Sequence, residues 1–175
     1  MNKEFHILNG DSLKKQFPKS LKGEKIIARL CLVDGNVKAK SLEELFEERA
    51  KFLSSNYADI TKEDYYIKSV TEIKKIESLP DEPFINLWFE DDLFCQVNFW
   101  FLINLISKQK TKHKAHLVRP KQNCAYSFGS MHQDELINSY NSRVSITDNE
   151  LKELSKLWTL YQDDNIEEML QIAEN

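Results

Sequence analysis

A mainly parallel sheet of about four to five strands, sandwiched between helices in three α/β layers, is the architecture that this sequence predicts. Three observations lead to it. Short strand-like segments at residues 5–9, 25–33, 84–89 and 115–118 are each followed by a turn signal and then by a stretch of helical periodicity. Residues 93–107 are apolar on nearly every side, as expected of a helix covered by both a sheet and its neighbours. With 41% hydrophobic and 11% aromatic residues, 175 residues fill one core and fall short of two independent domains.

Along the chain, the first strand runs into "GDSLKKQF", where Leu13 and Phe17 stand four apart on one helical face. After the second strand, Ser41 and Glu44 have capping-box spacing, and Leu42, Leu45, Phe46, Arg49 and Leu53 draw one face of a helix. A further helix is expected over residues 62–78. Gly10 and Gly35 fall just beyond the first two strands, where the chain must turn. Strands alternating with helices of this length give a Rossmann-like α/β domain over residues 1–125. Beyond Pro120, "KQNCAYSFGS" reads as loop and "MHQDELINSYNSR" as a short helix. A second capping box at Thr147 and Glu150 opens a helix carrying Leu151, Leu154, Leu157, Trp158 and Tyr161. Residues 126–175 are therefore expected to form a small helical C-terminal appendage packed on the domain.

Charge and composition narrow the function. There are 24 basic and 28 acidic residues, a net charge of −4, which is not the basic footprint of a nucleic-acid binder. Cys31, Cys95 and Cys124 have no paired spacing, and the N-terminus lacks the apolar stretch of a signal peptide. Reduced thiols and a cytoplasmic location are the expectation. The longest apolar run is too short for a bilayer, so no membrane association is expected. Oligomeric state is left open.

In open α/β sheets, ligands sit beyond the carboxyl ends of the strands. Three polar segments fall on that edge. The first is Asn9, Gly10, Asp11 and Ser12, in which glycine permits a tight strand-to-helix turn. The second is Asp34-Gly35-Asn36, which reads as a turn. The third is Glu90-Asp91-Asp92 after a buried strand, with Cys95 and Gln96 one turn further on. Three adjacent acids repel one another when desolvated, so each must be solvated, capping a helix or neutralised by a cation. Asp11, Glu90 and Asp92 together form a candidate set for a divalent metal, with Mg2+ as the ion suited to carboxylates and substrate phosphates. Arg29 and Arg119 are candidate partners for an anion.

Gly10-Asp11-Ser12-Leu13 resembles the signature of a family of serine esterases. That chemistry also needs a late Asp-x-x-His pair to activate the serine, and no such pair occurs in this chain. "HILNGDSL", "LWFEDDLFCQVNFWFLINLI" and "LVRP" together resemble a bacterial family catalogued as domain of unknown function 1835, over about residues 4–125. The pattern is matched by Leu87, Trp88, Phe89, Glu90, Asp92, Leu93 and Gln96, and earlier by His6, Asn9, Gly10, Asp11 and Ser12. Many members carry Trp-Arg-x-x-Leu-x-x-Gly-Pro after the second strand, whereas this chain reads "ARLCLVDGNV" and keeps only Arg29 and Gly35 in similar places. The tail, with Trp158 and Tyr161, is similar to the start of a second module that usually follows. The resemblance promotes Glu90, Asp92 and Gln96 above Asp91 and implies no reaction. Asn9, Gly10, Asp11, Ser12, Arg29, Glu90, Asp92, Gln96 and Arg119 are the expected site, and a small phosphorylated or nucleotide-like molecule is the expected ligand. A non-catalytic protein-interaction module is the alternative.

Overall fold

The computed structural model describes residues 3–110, 112–121 and 127–173. Residues 122–126, which hold Cys124 and the expected boundary at residue 125, lie outside them. Five strands form one sheet: β1 (Glu4–Asn9), β2 (Glu24–Ala28), β3 (Phe84–Trp88), β4 (Lys114–Val118) and β5 (Val144–Ser145), in the order β2-β1-β3-β4-β5. All pairs are parallel except β4 with β5. The helices are α1 (Asp11–Gln16), α2 (Leu42–Asn56), α3 (Lys62–Tyr65), α4 (Thr71–Glu77), α5 (Leu93–Ser107), α6 (Gln133–Asn141), α7 (Asp148–Gln162) and α8 (Ile166–Ala173).

Alternation along the strands supplies two apolar faces. Ile7, Ile85, Leu87 and Ala115 face a large core built with α2, α4, α5 and α7. Leu8, Ile27, Trp88 and Val118 face a smaller one closed by Leu13, Phe17, Phe128, Met131 and Leu136. Val97, Leu102, Ile103 and Ile106 of α5 are wholly buried, each contributing roughly 1.5–3 kcal/mol by leaving water. The smaller face also holds the fully buried His6, whose Nδ1 accepts from Trp88 Nε1 at 3.2 Å and whose Nε2 therefore donates to the Lys22 carbonyl at 2.9 Å. Burial holds this imidazole below its usual range, so it stays neutral.

The second strand is shorter than residues 25–33. Its one partner among the described residues, β1, ends with Asn9 opposite Ala28, and β1 then turns away at Gly10, which leaves residues 29–33 no ladder to join there. Their carbonyls are taken instead by side chains. Asn98 Nδ2 donates to Leu30 O at 3.2 Å, Arg49 Nη2 donates to Cys31 O, and the Tyr161 hydroxyl reaches Leu32 O and Val33 O. The helix expected over residues 62–78 is present but interrupted by a π-helical turn, Tyr66–Val70, in which Thr71 N–H donates to Tyr66 O. The Ser41 cap forms as half of its box, since Glu44 Oε2 reaches Lys40 N–H rather than Ser41. The Thr147–Glu150 box forms in full. Among the described residues no helix is long and apolar enough to cross a membrane.

Candidate functional site

β1 passes into α1 on the smaller face, whereas the adjacent β3 passes into α5 on the larger one. Neighbouring strands whose connections leave on opposite sides open a crevice beyond their carboxyl ends. Asn9, Gly10, Asp11, Ser12, Arg29, Glu90, Asp92, Gln96 and Arg119 all lie on this edge, because each follows a strand or begins a helix there. Gly10 makes the first turn with φ 89° and ψ −179°, a region closed to residues with a side chain. Asp11 then receives the Arg29 guanidinium through two bonds of 2.6 and 2.8 Å, and Arg29 Nη1 continues to the Lys68 carbonyl at 2.5 Å. The hydrogen bond from Arg29 holds the Asp11 carboxyl below its ordinary 3.8.

The three acids after β3 have three separate structural partners. Glu90 Oε1 accepts the Phe128 amide at 3.1 Å, Asp91 meets Arg119 at 3.3 Å, and Asp92 caps α5 by accepting the Cys95 amide at 3.0 Å. Burial works to raise the Asp92 carboxyl, but the Cys95 side chain and the backbone amides hold it below its usual range. Burial, and then the adjacent Asp92, push the Cys95 thiol up to about 12, so it stays protonated and is not a nucleophile. Its sulfur accepts from Asn9 Nδ2 at 2.9 Å, and Asn98 Nδ2 donates to Asn9 Oδ1 at 3.1 Å. Gln96 donates to the Glu90 carbonyl at 2.7 Å.

Of the expected metal set, Glu90 and Asp92 come together, with Cys95 rather than Asp11 beside them. Among the described residues the potential ligand atoms of Glu90, Asp92 and Cys95 lie within 4.8 Å of one another, while Asp11 is turned to Arg29. A protonated thiol is a poor ligand for Mg2+, which takes oxygen donors. Ser12 is exposed and makes no bond to a histidine among the described residues, so an activated serine is not built here. His132 caps the start of α6, where its amide donates to Glu135.

Two cavities meet at Asn9. The smaller, about 270 Å³, lies between Ser12, Glu90, Cys95 and Phe128. The larger, about 410 Å³, is a cleft walled by Leu30, Leu53, Ile60, Tyr65 and Phe94 and bordered by Asp11, Arg29 and Lys68. Gln96 and Arg119 face neither; they line a groove beside β5. A cavity of about 450 Å³ at the opposite edge of the sheet is lined by Lys112, Lys114 and Lys152, where β4 and α7 begin and α5 ends.

Tyr65 and Ser69 line the cleft and were missed in the sequence. Both are more than nine-tenths buried, at 4% and 6% exposure, and neither hydroxyl has a hydrogen-bond partner among the described residues. They stand four apart on α3 and the π turn, a spacing that puts side chains on one helical face. In the sequence they sit inside "KEDYYIKSV", where nothing marks one tyrosine as buried and its neighbour Tyr66 as exposed. No protein-family model, curated protein or solved structure matches the chain.

Proposed function

We propose that the chain binds a small nucleotide-like molecule in the cleft beside Asn9. A single observation carries this reading. Of the eight large apolar side chains exposed among the described residues, Phe94 lines this cleft, where it completes a wall of Leu30, Leu53, Ile60 and Tyr65. An exposed aromatic ring over an apolar concavity favours an apolar or aromatic occupant. The π turn at its wall supports the same reading, since such turns lengthen a helix locally at a cost and concentrate at functional sites. The size of the cleft suits a base or similar ring, and the Asp11–Arg29 pair at its mouth offers both an acceptor and a donor to hydroxyl or phosphate groups. The reading requires no metal and no catalytic step.

Thermal melting against nucleosides, nucleotides and other phosphorylated metabolites, each with and without Mg2+, tests it. A ligand at about one hundred times its Kd stabilises the folded state by about 2.7 kcal/mol, which corresponds to a shift of several degrees for a chain of this size. The expected result is a shift for at least one compound, unchanged by Mg2+ and lost in Phe94→Ala. A panel without any shift, or a shift that survives Phe94→Ala, contradicts the proposal.

A further inference from the structure

The walls of the cleft are apolar, yet among the described residues they contain two hydroxyls with no partner within the protein. Tyr65 and Ser69 are largely buried as residues, and their hydroxyls open onto this one cavity, where a ligand can reach them. A second anomaly adjoins the cleft through Cys31. Arg49 is 1% exposed, and its guanidinium bonds only to the carbonyls of Cys31 and Asn36 while stacking 4.6 Å from the Phe52 ring centre. Among the described residues it has no carboxylate within ion-pair distance. A buried cation without a counter-charge is unfavourable unless an anion comes near it. Cys31, whose carbonyl Arg49 holds, is itself part of the cleft wall.

We propose that Tyr65 and Ser69 donate their hydroxyl hydrogens to an oxyanion of the ligand, a carboxylate or a phosphate, whose charge the buried Arg49 balances. The assignment rests on the cleft being the binding site, and it moves the anion away from the Gly10–Ser12 turn into the interior of the cleft. It also explains a feature of the edge. Arg29 is already engaged by Asp11 and by the Lys68 carbonyl, whereas Arg49 has no ion-pair partner among the described residues and feels Asp34 only at longer range. Burial pushes the Tyr65 phenol above its ordinary 10.0, so it remains a donor throughout the physiological range. The Arg49 charge acts on Tyr65 in the opposite direction, which sets the two groups within electrostatic reach of each other.

Matched probes differing in one anionic group give the test. Adenosine monophosphate is compared with adenosine, flavin mononucleotide with riboflavin, and nicotinate with nicotinamide, by titration monitored through backbone amide resonances, on wild type, Tyr65→Phe, Ser69→Ala and Phe94→Ala. The anionic member of at least one pair is expected to bind about tenfold more tightly than its neutral counterpart. Tyr65→Phe and Ser69→Ala should each weaken that binding about fivefold while leaving the melting temperature of the free protein unchanged. The pair that discriminates identifies the oxyanion as phosphate or carboxylate. Binding that Phe94→Ala abolishes but Tyr65→Phe and Ser69→Ala leave intact, or equal affinity for both members of every pair, overturns this inference and leaves the cleft standing. No binding by any probe overturns both.

Discussion

The segment after β3 and the π-turned helix between α3 and α4 border the same crevice and differ in what their polar groups have found. In residues 90–96 every candidate side chain is satisfied within the chain: Glu90 by Phe128, Asp91 by Arg119, Asp92 by Cys95, and Gln96 by Glu90. In residues 65–69 the hydroxyls of Tyr65 and Ser69 have no partner among the described residues and open onto the cleft. A run of acids is conspicuous in a sequence, but helix caps, turns and loop amides absorb it at low cost. A hydroxyl held in a buried wall and open to a cleft is inconspicuous in a sequence, and with no partner in the protein it is free to bond a ligand, so it is the stronger sign of a binding site.

The largest effect is expected where the cleft wall itself is attacked. Arg49→Met removes two charge-assisted bonds and strands the carbonyls of Cys31 and Asn36, at a cost of about 3 kcal/mol, although it also relieves a buried charge. Chemical denaturation measures this, and a loss below about 1 kcal/mol would mean that Arg49 does not hold the strand where it leaves the sheet. Next comes Asp92→Ala, which removes the α5 cap and should cost about 1 kcal/mol in the same assay. A change near zero would show that the acids are not structural, and would reverse the comparison.

Tyr65→Phe and Ser69→Ala should each change stability by about 0.5 kcal/mol or less, because no bond is lost and alanine is the better helix former. A larger loss would mean that these hydroxyls have partners within the protein. The two segments also part in their response to pH. Asp92 is held below its ordinary 3.8, so its contribution is present above that pH and disappears as acid carries the solution through the lower folded value. Tyr65 is held above 10.0, so its contribution is present below that pH and is lost as alkali ionises the unfolded chain first. Melting curves against pH should therefore lose their acid limb in part in Asp92→Ala and their alkaline limb in part in Tyr65→Phe. The smallest effect belongs to the exposed Asp11–Arg29 pair, where Asp11→Asn should cost about 0.5 kcal/mol or less.

Much of the fold was legible because it follows from periodicity. The helix at residues 93–107 shows the same bounds in sequence and structure, since an all-round apolar stretch has one way to be buried. Strand β2 was overestimated because Leu30 and Leu32 are as buried as strand residues, and hydrophobicity alone does not reveal where a neighbouring strand ends. The two-residue β5 carries no periodic signal at all. At the site, the convergence of Asn9, Asp11, Arg29 and Glu90 on one edge followed from strand-to-helix alternation. The diversion of Asp11 to Arg29 depends on where β2 leaves the sheet, and the role of Tyr65 and Ser69 depends on a π turn, so both are settled by tertiary geometry.

The most direct measurement is a map of backbone amide shifts on the free protein titrated with adenosine monophosphate. Binding in the cleft predicts that perturbations centre on Asn9, Gly10, Tyr65, Ser69 and Phe94, with little change at Lys112, Lys114 and Lys152. Perturbations centred on those lysines, or on Val144 and Ile146 beside β5, would contradict the account.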